Sequence, residues 1–134
     1  MSPFKLKIVT PDGLIYDGSA EQLIVRTTGG DIGILARHIN YVAPLGMGRA
    51  VVVADGNRRT AACIGGMVSV VNGEVTLVPT TFEWSDQIDV DRAERAYQKA
   101  DKILRDSTSS STDIRLAEAK LHRALIRKNV ASFK

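Results

Sequence analysis

One cysteine, two histidines, four prolines and seven aromatic side chains are all that 134 residues contain of those types. The single thiol, Cys63, excludes an internal disulfide and any metal site built from cysteines alone, and its plain reading is a small buried hydrophobe. Aromatics at 5% leave the core to Val, Ile, Leu and Ala, and leave few rings for stacking on nucleic-acid bases. No apolar run reaches the 18 residues that a spanning helix needs. The start, MSPFKLKIVT, lacks the apolar stretch and cleavage site of a secretory signal, so the chain is expected to be made and kept in the cytosol. Catalytic signatures are missing too. There is no G-x-S-x-G, no H-E-x-x-H and no P-loop lysine followed by Ser or Thr, and His38 and His122 are far apart in sequence. Neither a catalytic residue nor a metal site is expected.

What is present is an average globular composition, 44% hydrophobic and 25% charged, at a length that suits one ordinary domain or a small domain with an appendage. The net charge of +3 is unevenly spread. Residues 1–87 carry 7 basic and 8 acidic side chains, residues 88–106 carry 5 of each, and residues 113–134 carry 6 basic and 2 acidic. The basic excess is therefore C-terminal, which fits nucleic acid, an anionic membrane, an acidic protein surface or a bound phosphate equally well.

Two periodicities divide the chain. Up to Trp84, short runs alternate with period two: FKLKIVT, AEQLIVRT, RAVVVA, RRTAACI, MVSVV and EVTLV. Turn residues punctuate them at Pro11-Asp12-Gly13, Asp55-Gly56-Asn57 and Asn72-Gly73, the last a strong hairpin signal. The pattern predicts a flattened antiparallel β-sandwich or barrel over residues 1–86. In the segment GGDIGILARH, Gly29-Gly30 reads as a turn and Gly33 as a bulge or close backbone approach.

From residue 87 the apolar step becomes three and four: Ala93, Ala96, Tyr97, Ala100, Ile103 and Leu104 share one helix face, with Asp89 as its N-cap. The run Ser107 to Thr112 ends that helix in a loop. A second helix from about Asp113 turns Ile114, Ala117, Leu121, Ala124 and Leu125 inward. Residues 87–134 thus predict an antiparallel two-helix hairpin. Alanine methyls bury little area at ~25 cal/mol per Å², so the hairpin should dock weakly and be able to move. Arg92, Arg95, Lys99 and Lys102 lie together on the first helix, and Arg123 and Arg127 project together from the second. They make either a phosphate-sized basic groove or an ordinary solvated charged face.

The chain resembles the epsilon subunit of F-type ATP synthases from end to end. The resemblance rests on Gly30-Asp31-Ile32-Gly33-Ile34-Leu35-Ala36-Arg37-His38, on Gly65-Gly66-Met67-Val68-Ser69-Val70, and on Val75-Thr76-Leu77-Val78, together with a β domain followed by two helices. It implies a noncatalytic rotor subunit at the foot of the gamma subunit, against the membrane-embedded c-ring. Asp31 then faces the polar loops of the ring, and His38 lies near gamma. The hairpin moves between a compact state and an extended one that reaches the alpha/beta catalytic head and restrains ATP hydrolysis. Some bacterial members bind ATP in the compact state, through an I/L-D-x-x-R-A motif that Ile88-Asp89-Val90-Asp91-Arg92-Ala93 fits, and an R-A-x-x-R motif that Arg123-Ala124-Leu125-Ile126-Arg127 fits.

On this resemblance the nucleotide contacts are Glu83, Ile88, Asp89, Arg92, Ala93, Lys99, Arg123 and Arg127, with ATP as a regulatory ligand and no cofactor required. Arg115-Leu116-Ala117-Glu118 carries one arginine where ATP-binding relatives often carry two, and a lost charged hydrogen bond weakens binding by ~1.5–3 kcal/mol. The implied location is the cytoplasmic face of the cell membrane, held there by the complex, with no nucleic-acid partner. Two other readings compete: a β domain with a basic helical tail for nucleic acid, and an enzyme using His38, Asp31 and Cys63.

Overall fold

A computed structural model describes residues 2–133. Its eight strands are β1 Phe4–Thr10, β2 Gly13–Ala20, β3 Gln22–Thr27, β4 Gly30–Ile34, β5 Tyr41–Pro44, β6 Met47–Ala54, β7 Asn57–Val71 and β8 Glu74–Trp84. A 3₁₀ turn, Ser85–Gln87, precedes helices α1 Val90–Arg105 and α2 Ser111–Ala131. The chain divides into two compact units, Met1–Trp84 and Ser85–Lys134.

In the first unit the hydrogen-bonded order is β2-β1-β8-β7-β6-β3-β4, with β5 paired to β7. The pairings are antiparallel except that of β1 with β8, which is parallel, so the sheet is mixed where an antiparallel one was expected. Period-two alternation is explicit in β1, where Phe4, Leu6 and Ile8 are buried between exposed Lys5 and Lys7. The core joins these to Leu23, Val25, Ile34, Val68, Val70 and Leu77, with Phe82 and Trp84 edge-to-face at 4.9 Å.

Asp55-Gly56 and Asn72-Gly73 are both two-residue hairpin loops in which each residue has positive φ, as the pattern predicts. Elsewhere the turns use buried threonines. Thr27 Oγ1 accepts from the Gly29 N–H at 3.1 Å and donates to the Gly30 carbonyl at 2.7 Å, and Thr10 ties the Asp12-Gly13 turn likewise.

RRTAACI and MVSVV, two runs in the sequence, are one 15-residue strand, β7, because Gly65 (φ +69) and Gly66 (φ +94) bend the backbone without breaking it. The first part of β7 pairs with β6 and the second with β5, so this bend carries the chain from one face of the sandwich to the other. A Cβ on Gly66 would sit 1.9 Å from the Val78 carbonyl oxygen. Gly33 departs from expectation. It lies in regular register opposite Ile24 with open space where its Cβ would be, so it is neither a bulge nor a close approach.

In the second unit, Asp89 caps α1 by accepting from the Arg92 N–H at 3.0 Å, and Ser110 caps α2 by accepting from the Asp113 N–H at 3.1 Å. Helix α2 therefore starts two residues before Asp113, inside the Ser/Thr run. Ala93 and Ala100 of α1, and Ala117 and Ala124 of α2, are buried at seven-residue spacing, an alanine seam. Ala96, Ile114 and Leu125, expected on the inner faces, are exposed. Helices packed on methyl groups approach closely, which narrows the buried stripe and leaves bulkier neighbours outside it.

Candidate functional site

The hairpin has two chemically different flanks. On one, Lys128 Nζ lies 2.6 Å from Glu94 Oε2 and 4.3 Å from the Tyr97 ring centroid, while Gln98 Nε2 donates to Glu94 Oε1 at 2.9 Å. Hydrogen bonds from Lys128 and then Gln98 hold the Glu94 carboxyl below the ordinary carboxylate range. This clasp orients the pair of helices. Turning by 100° per residue about the alanine seam, Glu94, Tyr97 and Asp101 of α1 fall on the side of Lys128. Arg92 and Lys99 fall on the opposite side, and the same count on α2 brings Arg123 and Arg127 to that side.

Five of the eight expected nucleotide contacts therefore lie in the helix pair, with Asp89 as its cap, and four of the five are cations on one flank. Arg123 and Arg127 are half-buried, while Arg92 and Lys99 are exposed. Asp89 spends one carboxylate oxygen on the α1 cap, and Ala93 is buried in the seam, so these two shape the helix start rather than offer free ligand groups. Ile88 is buried beside the cap. Glu83 lies on β8, opposite Ala62, in the first unit.

The first unit carries the other expected contacts. Asp31 sits on β4 directly across from Arg26 of β3, bound side-on: Arg26 Nε to Oδ1 at 2.6 Å and Nη2 to Oδ2 at 3.3 Å. Both side chains are about half exposed. His38 is half-buried, its Nδ1 2.8 Å from the Ile39 carbonyl and its ring edge-on to Tyr41 at 6.0 Å. It borders an open cleft with Arg37, Asn40 and Asn72, in which the Asn72 N–H donates to Asn40 Oδ1 at 2.8 Å.

Residues 3–85 match the ATP synthase Delta/Epsilon chain beta-sandwich domain, and residues 86–132 match the long alpha-helix domain of the same chain. The chain belongs to the ATP synthase delta/epsilon chain family. Its curated relatives include the ATP synthase epsilon chain of Ruminococcus albus, 44% identical over 135 residues and covering 100% of both chains. That of Bacillus subtilis is 45% identical over 131 residues, 98% of each. The fold is shared with a chain of the Euglena gracilis mitochondrial ATP synthase, at TM-score 0.85 and 20% identity, covering 100% of this chain and 83% of that one. A chain from the central stalk and c-ring of the Tetrahymena thermophila mitochondrial ATP synthase aligns at TM-score 0.68 and 10% identity, with 95% of each covered.

Within this delta/epsilon chain the competing readings find little footing. Phe4, Phe82 and Trp84 are buried, and Arg59 stacks over Trp84 at 3.7 Å, so these rings present no face to a nucleic-acid base. Cys63 is buried in the core with its thiol pushed up to about 12 by desolvation, while the Asp31 carboxylate is taken up by Arg26.

An outward apolar row went unnoticed in the sequence. Pro44, Met67 and Val78 are cross-strand neighbours on β5, β7 and β8, all exposed, and Val42 and Val71 flank them. The signal was there as apolar residues in the outward phase of the alternation, at positions where a solvated face would be polar. A search for the buried phase of each strand passes over them.

Proposed function

We propose that this chain is a noncatalytic subunit of the rotating central stalk of an F-type ATP synthase, coupling ion flow to ATP synthesis and restraining hydrolysis through its helices. The observation that carries this is the match of both domains along the whole chain to relatives named ATP synthase epsilon chain, at 44% identity. The β unit docks on the gamma subunit and the c-ring, and its outward apolar row supports that reading as a surface that a monomer leaves uncovered only to meet a partner. Asp31 faces the ring and His38 faces gamma. The subunit sits peripherally on the cytoplasmic face of the cell membrane, held by the complex, and no helix among the described residues is long and apolar enough to cross it.

The hairpin is the regulatory element. Extended, it reaches the alpha/beta head; compact, it binds ATP on the flank of Arg92, Lys99, Arg123 and Arg127, where guanidinium forks suit phosphate oxygens. ATP then favours the compact state only by its differential affinity, RT ln(1 + [ATP]/Kd) if the extended state does not bind it. Reconstitution tests the first part: complexes lacking this chain are expected to lose coupling between proton flow and ATP synthesis, and equal coupling without it would defeat the proposal. Calorimetry of the full chain with ATP tests the second, and no heat of binding at millimolar ATP would remove the nucleotide site.

A further inference from the structure

Arg26 is held more firmly than an exposed arginine needs to be. Its backbone carbonyl accepts from the Gly46 N–H at 3.0 Å, and its strand partner across β3 and β4 is Asp31 itself. Its stem lies over two glycines. A Cβ on Gly48 would come 2.6 Å from Arg26 Cβ and 3.0 Å from Cγ, and one on Gly46 would come 3.5 Å from Cγ. Neither glycine has positive φ, so no turn geometry requires them; what they leave is room for the arginine stem. Of the five guanidinium N–H donors, the side-on pairing engages two, and it leaves the outer lone pairs of the Asp31 carboxylate open.

We infer that Arg26 and Asp31 act as one docking element, in which Arg26 aims the Asp31 carboxylate and cancels its charge at a distance. The pair then takes up a cationic partner side chain only when that cation arrives within hydrogen-bond reach. A lone exposed carboxylate attracts any cation within about a Debye length, ~8 Å in physiological salt, whereas a closed ion pair has only a short-range dipole field. Arg26 is thus a positioning residue that sets selectivity, and it lowers raw attraction in exchange for register. The inference rests on the reading of Asp31 as a contact to a basic loop of the c-ring.

The test adds the full chain to ATP synthase complexes prepared without it and follows affinity from low to high salt. Arg26→Gln is expected to bind about three- to fivefold more tightly at low salt and to lose affinity more steeply as salt rises. Asp31→Asn is expected to bind about tenfold more weakly, because it turns an uncompensated cation toward the partner. Arg26→Lys keeps the charge without the fork, and is expected to show the wild-type salt slope at reduced affinity. It also serves if the glutamine variant melts early as the free chain. If Asp31→Asn weakens binding while Arg26→Gln and Arg26→Lys leave affinity and salt slope untouched, Arg26 has no role in docking and the inference fails alone. If Asp31→Asn binds like wild type, the reading of Asp31 as an interface residue fails first.

Discussion

Two residues decide more than their size suggests. Gly66 sits where β7 passes from one face of the sandwich to the other, with left-handed backbone and the Val78 carbonyl at the place of its missing Cβ. Gly66→Ala must move β8 or strain the bend, and is expected to destabilise the β unit by about 3 kcal/mol or more in chemical denaturation, with little effect on the hairpin. Cys63 is the second. Its buried thiol, raised to about 12, should resist neutral alkylating reagents at pH 8 in the native chain and react promptly once it is unfolded. Since the folded pKa lies above the ordinary 9.0, this group's contribution to stability is intact below pH 9 and declines as pH rises toward 12. Rapid labelling of the native protein would show that the core opens around β7.

At the scale of the elements, the hairpin is an alanine seam with unlike sides. The clasp of Glu94, Lys128 and Tyr97 closes one side, and the other carries the cations. Because Glu94 titrates below the ordinary 4.5, the clasp's contribution is full above about pH 4.5 and is lost as pH falls through the lower, folded value. Lys128→Met is expected to loosen the helices only slightly, since the pair is partly exposed, and to weaken this acid dependence to the part that Gln98 still supports, as amide exchange along α1 and α2 would register. On the opposite flank, Arg92→Ala should abolish ATP binding in calorimetry while β-unit melting is unchanged. Asp89→Ala tests a different cause, since it removes a helix cap worth ~1 kcal/mol as well as a ligand neighbour, and should lower helicity and affinity together. Unchanged affinity in both variants would refute the nucleotide site.

For the whole molecule, the two units divide the work along the chain. Residues 2–84 bury their own core, whereas the helices rest on methyl groups and a few polar ties. A chain ending after Gln87 is therefore expected to fold, to restore coupled ATP synthesis in complexes lacking the subunit, and to leave ATP hydrolysis higher than the full chain does. Hydrolysis rates with and without residues 88–134 read this directly, and equal rates would take regulation away from the hairpin.

The sequence by itself determined each local choice. Alternation set the strands, Asp55-Gly56 and Asn72-Gly73 set the tight turns, and a change of period with Asp89 ahead of it set where helix begins, because these depend on residues within a few positions of one another. It also carried the I-D-x-x-R-A and R-A-x-x-R runs, since helical spacing says which side chains share a face. Only the tertiary structure decided what neighbours across strands and helices. The parallel pairing of β1 with β8, the continuity of β7 through Gly65-Gly66, the capture of Asp31 by Arg26, and the clasp that gives the hairpin its two flanks all join residues whose meeting is a matter of packing. No local pattern encodes such a meeting, because its energy resides in the contact and not in either segment.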